Sequence, residues 1–294
     1  ITSAPYAESF ENGKGGWEID YSTNNSWQLG TPDRPVIKGA RTGTNAWFTN
    51  YPLTGQTPEN SAVISPCFRM DSVTRPMIAM WTWKRFDRDR DGAVLQYQIG
   101  DTNVWRPVGT LDDDGIRWYN SALITGNPGG RQIGWTAGTG NTKDAEWVES
   151  RHVLDELAGL KKDVKFRIAY GSDGTAKNND GIAFDDILIG ERTRGVLLEH
   201  FTNSSSLSPN SALADTLINT ITRNRDKDII NIQYHTNFPG TDPFYIANPG
   251  DASARVLFYG LTQAPYSFID GGVGVYTYTK PITGELSPPD KNKV

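Results

Sequence analysis

Four carboxylates stand in two pairs far apart in the chain: Glu8 and Glu11 near its start, and Asp185 and Asp186 late in Gly181–Gly190. Carboxylates brought from distant segments suit a hard cation. Calcium takes roughly six to eight oxygens from carboxylates, backbone carbonyls and waters, and the turn at Asn12-Gly13 would add carbonyls. The competing reading is that Asp185 and Asp186 accept hydrogen bonds from neighbouring loops. A second acidic run, Asp87-Arg88-Asp89-Arg90-Asp91-Gly92, has the D-x-D-x-D-G opening of a calcium loop, but Gln98 stands where that loop has its closing Glu. With arginines interleaved it reads as a solvated connection between strands, and Asp112-Asp113-Asp114-Gly115 reads the same way.

Nucleophilic chemistry has little to work with. The three histidines, His152, His200 and His235, are isolated in sequence and read as structural. Ser206 would need a base and a third group to orient that base, and no G-x-S-x-G elbow surrounds it. Glycoside hydrolysis needs two carboxylates facing each other across a cleft, which sequence spacing does not supply here. For binding, Trp27, Trp118 and Trp135 adjoin glycines or polar turns and are candidate stacking platforms for a ligand, whereas Trp81 and Trp83 share one strand face and read as core.

The elements that would position these groups divide the chain in two. All nine tryptophans lie in the first half, from Trp17 to Trp147. At 294 residues the chain suits two domains of ordinary size, 1–192 and 193–294, joined at the charged stretch Glu191–Arg194. Thirty Gly, seventeen Pro and many turn residues predict a β-rich first domain. Strands are expected at Ser61–Phe68, Pro76–Phe86, Ala93–Ile99, Trp105–Val108, Arg117–Tyr119, Glu146–Val153, Val164–Tyr170 and Gly181–Gly190, with a helical turn at Leu154–Gly159. This pattern predicts a β-sandwich of jelly-roll type. The second half runs strand, helix, strand, helix, strand. Ser208 would cap a helix begun by Pro209, a second helix is expected over Asp251–Tyr259, and Ala264-Pro265 leads into the last strand, an α/β order. A net charge of −5 argues against a nucleic-acid partner. No apolar run approaches the length of a membrane span. No signal-peptide pattern opens the chain, which suits a trimmed product, and one cysteine, Cys67, permits no intrachain disulfide.

The segments SFENG, GWEI, SWQLGTP, SAVISPCF, FRIAYGSDG and GIAFDDILIG, spread over about residues 5–190, resemble the MAM-like and cleaved-adhesin jelly rolls of secreted bacterial proteins. The resemblance implies an accessory sandwich module, generally non-catalytic. Similar jelly rolls hold a structural calcium near the seam of first and last strands, which would fall to Glu8, Glu11, Asp185 and Asp186.

Residues of about 195–275, through VLLEHFTN, YHTNFPGTDPFY and QAPYSFIDG, resemble a thioredoxin-like domain of the Omp28-like outer-membrane kind. That family's C-x-x-C is replaced here by Ser206-Leu207-Ser208-Pro209. A serine neither attacks a disulfide nor resolves one, so the implied redox activity is expected to be lost. The helix start beside Ser204–Ser206 remains a place for an anion or peptide. The resemblance also implies a cis bond before Pro265. It leaves the domain short of its final helix, with Thr283–Val294 reading as a polar tail. The whole reads as a secreted, periplasmic or surface-exposed adhesin-like binding protein of a Gram-negative envelope, with a glycan or protein ligand and calcium as structural ion. The alternatives are a carbohydrate-binding or accessory fragment of a larger secreted enzyme, and a thiol-disulfide oxidoreductase, which the missing cysteines oppose.

Overall fold

Val164–Gly171 shows how the first unit is built: Val164, Phe166 and Ile168 are buried, while Lys165 and Arg167 lie between them and face the other way. The computed structural model describes residues 1–20, 25–49, 58–111, 113, 115–137, 146–174, 180–205, 209–224 and 228–272. Its contacts divide the chain into Ile1–Arg192 and Thr193–Val294.

In chain order the described strands of the first unit are β1 (Thr2–Ser3), β2 (Tyr6–Glu8), β3 (Glu18–Asp20), β4 (Trp27–Gly30), β5 (Ala46–Thr49), β6 (Asn60–Ile64) and β7 (Phe68–Arg69). There follow β8 (Pro76–Arg85), β9 (Gly92–Ile99), β10 (Arg106–Pro107), β11 (Val148–Val153), β12 (Val164–Gly171) and β13 (Gly181–Glu191). One sheet of seven strands centres on β12, which pairs β9 along one edge and β6 and β7 along the other; β10, β3 and β1 extend it. The other, of six strands, centres on β13, paired with β8 on one edge and with β2 and β5 on the other. The inward side chains of both sheets form one core. Phe184 sits among Phe10, Trp17, Trp27 and Trp47, with ring centroids 5.4–6.4 Å from its own. Burial of each such ring contributes on the order of 2–3 kcal/mol.

Three expectations change. Trp81 and Trp83 are not in that core, because alternation along β8 turns Ile78 and Met80 inward. Arg41 lies 3.9 Å over the Trp81 ring. Trp83 meets Trp147 edge-on at 5.8 Å, beside a small cluster of Ile37, Phe48 and Ala183. Arg117–Tyr119 forms no strand; only Ile116 bridges Arg151. Asp91 is not solvated but 3 % exposed, taking the amides of Asp87 and Asp173, so the run from Asp87 folds inward at its end.

The second unit comprises β14 (Val196–Thr202), α1 (Pro209–Asn224), β15 (Ile229–His235), α2 (Pro243–Ala247), α3 (Pro249–Tyr259) and β16 (Tyr266–Ile269). β14 is central, parallel to β15 and antiparallel to β16. The parallel pair needs a crossover, which α1 supplies. The short helix α2 escapes the periodicity argument: it is fixed by Asp242, whose side chain accepts from the amides of Phe244 and Tyr245 ahead of Pro243. α3 ends at Gly260, whose left-handed φ of 63° suits a residue without Cβ. The Ala264–Pro265 bond is cis.

Candidate functional site

The outer face of the seven-stranded sheet carries a groove built by register. Asp20 on β3 stands opposite Ala62 on β6, which stands opposite Ala169 on β12. The two alanines leave a hollow of about 240 Å³, bordered by Asp20, Asn60, Gly129 and Arg167. In the next rows Arg167 pairs with Gln96 and Lys165 with Gln98 on β9. There a second hollow, of about 440 Å³, is lined by Glu18, Asp20, Gln98, Asn103, Trp105 and Lys165. Asp20 borders both, so the two hollows adjoin at this residue, and together they are called the groove.

Arg167 is held at its centre. Its Nε donates to Gln96 Oε1 at 2.7 Å, and its guanidinium lies 4.4 Å over the half-buried Trp105 ring. Gln96 in turn donates to the Gly129 carbonyl at 3.1 Å. Gly129 has φ 58°, and a Cβ there would fall 2.4 Å from Gln96 Oε1, so a side chain at this position would displace the support of Arg167. Burial pulls the guanidinium down to about 10, with Asp20 acting in the opposite direction. Among the described residues no carboxylate lies within ion-pair distance of Arg167, and Lys165 reaches only the exposed Asp101, at 3.7 Å.

Three of the four carboxylates singled out in the sequence, Glu11, Asp185 and Asp186, reach one loop instead. Asp185 Oδ2 accepts from the amides of Arg41 and Thr42 at 2.9 and 3.2 Å, and its Oδ1 from the Asp186 amide at 2.7 Å. Asp186, at φ 47° in a bulge of β13, accepts from the Thr42 hydroxyl at 2.7 Å. Glu11 accepts from the Asn45 amide at 2.6 Å, and its carboxyl lies so close to Gly43 that a Cβ there would be 2.3 Å from Glu11 Cδ. Glu8 accepts from the Phe10 amide at 2.7 Å. Among the described residues no group of three or more His, Cys, Asp or Glu side chains is arranged around a common point as for a metal ion. Burial raises the Asp185 carboxyl to about 6 against the pull of its amide donors.

The three tryptophans expected as platforms are core residues: Trp27, Trp118 and Trp135 are 2 %, 7 % and 1 % exposed. Trp118 and Trp135 pack edge-on at 4.9 Å, Trp118 also lies 4.8 Å from the His152 ring, and their indole N–H groups go to the carbonyls of Val108 and Arg117. No indole face is left for a ligand. The tryptophan that does line the groove, Trp105, has no feature in its sequence neighbourhood that separates it from the others. Lys165 and Arg167 were signalled by the polar half of an alternating strand.

In the second unit Ser206 lies outside the described residues, and Pro209 opens α1. His200 is wholly buried between α1 and β16: Nε2 is 2.7 Å from Asp215 Oδ1 and Nδ1 is 2.8 Å from Ser267 Oγ. His235 Nδ1 is 2.8 Å from Asp242, which also takes the Ser204 amide at 2.6 Å. These bonds seat α1 and the 203–205 turn.

No protein-family model matches the chain, and no curated protein does. Solved structures similar to it include the K1 cleaved adhesin domain of Lys-gingipain from Porphyromonas gingivalis W83, at 15% identity and TM-score 0.36, covering 65% of this chain and 99% of that one. The K3 domain of the same protein is similar at 16% identity and TM-score 0.37, covering 64% and 98%. The CBM22-2 xylan-binding domain of Paenibacillus barcinonensis Xyn10C is similar at 10% identity and TM-score 0.31, covering 63% and 98%. All three are β-sandwich domains.

Proposed function

We propose that this chain is a non-catalytic, adhesin-like binding protein, secreted or displayed at a Gram-negative cell surface, and that its first unit takes a glycan in the groove of Asp20, Arg167 and Trp105. The observation that carries this reading is the pairing of polar hollows with one half-buried indole. A sugar offers hydroxyls to hydrogen-bond and a C–H face to stack, and the larger hollow, about 440 Å³, lies within the roughly 300–1,000 Å³ usual for ligand sites. Glu18 and Asp20 stand on one strand, two residues apart and on the same side, rather than across a cleft, which favours binding over hydrolysis. Binding of the full chain to a glycan array, followed by calorimetry with Trp105→Ala and Asp20→Ala, tests it. No binding, or binding that both variants leave unchanged, overturns it.

The second unit is read as a thioredoxin-like scaffold without thiol chemistry. Its support is the central β14 with one parallel and one antiparallel neighbour, followed directly by α1.

A second reading concerns the seam, as a calcium site of Glu8, Glu11, Asp185 and Asp186. It is favoured by the approach of Glu11, Asp185 and Asp186 to one loop, residues 41–45, with one oxygen each of Glu11 and Asp186 outside the hydrogen bonds described above. The carboxylates would have to close in to share an ion, since as placed they face N–H and O–H donors.

A further inference from the structure

Among the described residues, no carboxylate reaches ion-pair distance of the cation at the centre of the groove. The Arg167 guanidinium is fixed on three sides, by Gln96 at 2.7 Å, by the Trp105 ring at 4.4 Å and by the Gly129 carbonyl at 3.5 Å, and none of the three bears a charge. Here the carboxylate nearest in effect, Asp20, acts on Arg167 through space without reaching it. Lys165, on the same face of β12, adds a second positive charge beside the larger hollow.

We propose that the groove selects a glycan bearing carboxylates, a uronic-acid chain, with one sugar carboxylate on Arg167; the inference rests on the glycan reading of this groove. A planar guanidinium offers a carboxylate two parallel N–H donors, a match that ring hydroxyls do not make. The acidic residues set the limit on charge. Asp20 and Glu18 line the same groove, and they disfavour phosphate monoesters, which carry close to two negative charges each. The same two side chains accept hydrogen bonds from sugar hydroxyls, so the groove suits a ring with one carboxylate and several hydroxyls. Trp105 is stacked on one side by Arg167 and borders the larger hollow, where sugar C–H groups would meet it.

The test uses the full chain and calorimetric titration with oligogalacturonates as free acids, the same oligomers as methyl esters, and neutral xylo-oligosaccharides. Esterification removes the charge and keeps the ring, so the wild-type protein alone is informative. A charge-assisted hydrogen bond predicts about 10–100-fold tighter binding of the acid than of the ester. Added salt should erode the difference, and Arg167→Gln should abolish the preference for acid over ester. Equal affinity for acid and ester overturns this inference and leaves the groove reading in place. Failure of the free acids to bind overturns this inference, and the groove reading falls with it when the glycan array is blank as well.

Discussion

Arg255 grips Glu199 with two parallel hydrogen bonds, Nε to Oε1 at 2.7 Å and Nη2 to Oε2 at 2.8 Å, across the interface of α3 and β14. Glu199 is wholly buried, and Tyr259 donates to it as well. Burial alone would raise this carboxyl; the bonds from Arg255 and Tyr259 hold it below its ordinary value. Removing Arg255 strands a charge inside the second unit. Arg255→Met should therefore destabilise that unit, and the double variant Glu199→Leu/Arg255→Met should recover most of the loss. Every tryptophan belongs to the first unit, so the helical far-ultraviolet signal, not indole fluorescence, is the readout. A single variant as stable as wild type would show that the pair contributes nothing net.

Asp91 gives a pH dependence of known sign. Burial raises its carboxyl to about 6, above the roughly 3.9 of an unfolded Asp, so the folded chain binds the proton more tightly. That contribution is complete below about pH 3.9 and is lost as pH rises through about 6. Wild type should therefore lose stability relative to Asp91→Asn between pH 4 and 7, by up to about 3 kcal/mol. Indole fluorescence melts of the first unit at several pH values measure the difference. A wild-type-to-variant gap that stays constant, or widens in favour of wild type as pH rises, contradicts the assignment.

How much of this was legible in the chain depends on whether a property is local. The period-two alternation of Val164–Tyr170 announces a strand with Lys165 and Arg167 on its polar side, and that side is where the groove lies. Which tryptophan lines it is a tertiary matter: Trp118 and Trp135 cover one another, while Trp105, just ahead of β10, meets Arg167. The hollow itself comes from Ala62 and Ala169, small residues made neighbours only by register. Alternation also misleads at Asp185-Asp186, because the left-handed φ of Asp186 opens a bulge and both carboxylates reach the same loop. The order of elements in the second unit follows from periodicity and caps, except for α2, which depends on one side chain, Asp242.

Thiol chemistry is expected to be absent. Ser206-Leu207-Ser208-Pro209 offers no thiolate, and Cys67, half-buried in the first unit, has no second thiol with which to resolve a mixed disulfide. Insulin reduction by the purified chain should equal the reductant background. Turnover above it that survives Cys67→Ser would sink the expectation.

The last prediction concerns the 41–45 loop. Asp185, Asp186 and Glu11 hold it through Arg41, Thr42 and Asn45, and Gly43 lies against the Glu11 carboxyl. Gly43 has φ 59°, so Gly43→Ala meets both an unfavourable backbone and a clash. The variant should lose more than about 1 kcal/mol, read by indole fluorescence. If calcium joins the seam, the ion binds only the folded chain, and melting of the first unit should rise with calcium by an amount worth about 2.7 kcal/mol at a hundredfold excess over the dissociation constant. Asp186→Asn should remove the rise. Bound calcium would also keep Asp185 ionised, opposing the upward pull of burial, so the proton it otherwise takes up near pH 6 should be released. Melting temperatures that agree in calcium and in EDTA, together with a loss in Gly43→Ala, would mean that the carboxylates seat the loop by hydrogen bonds alone.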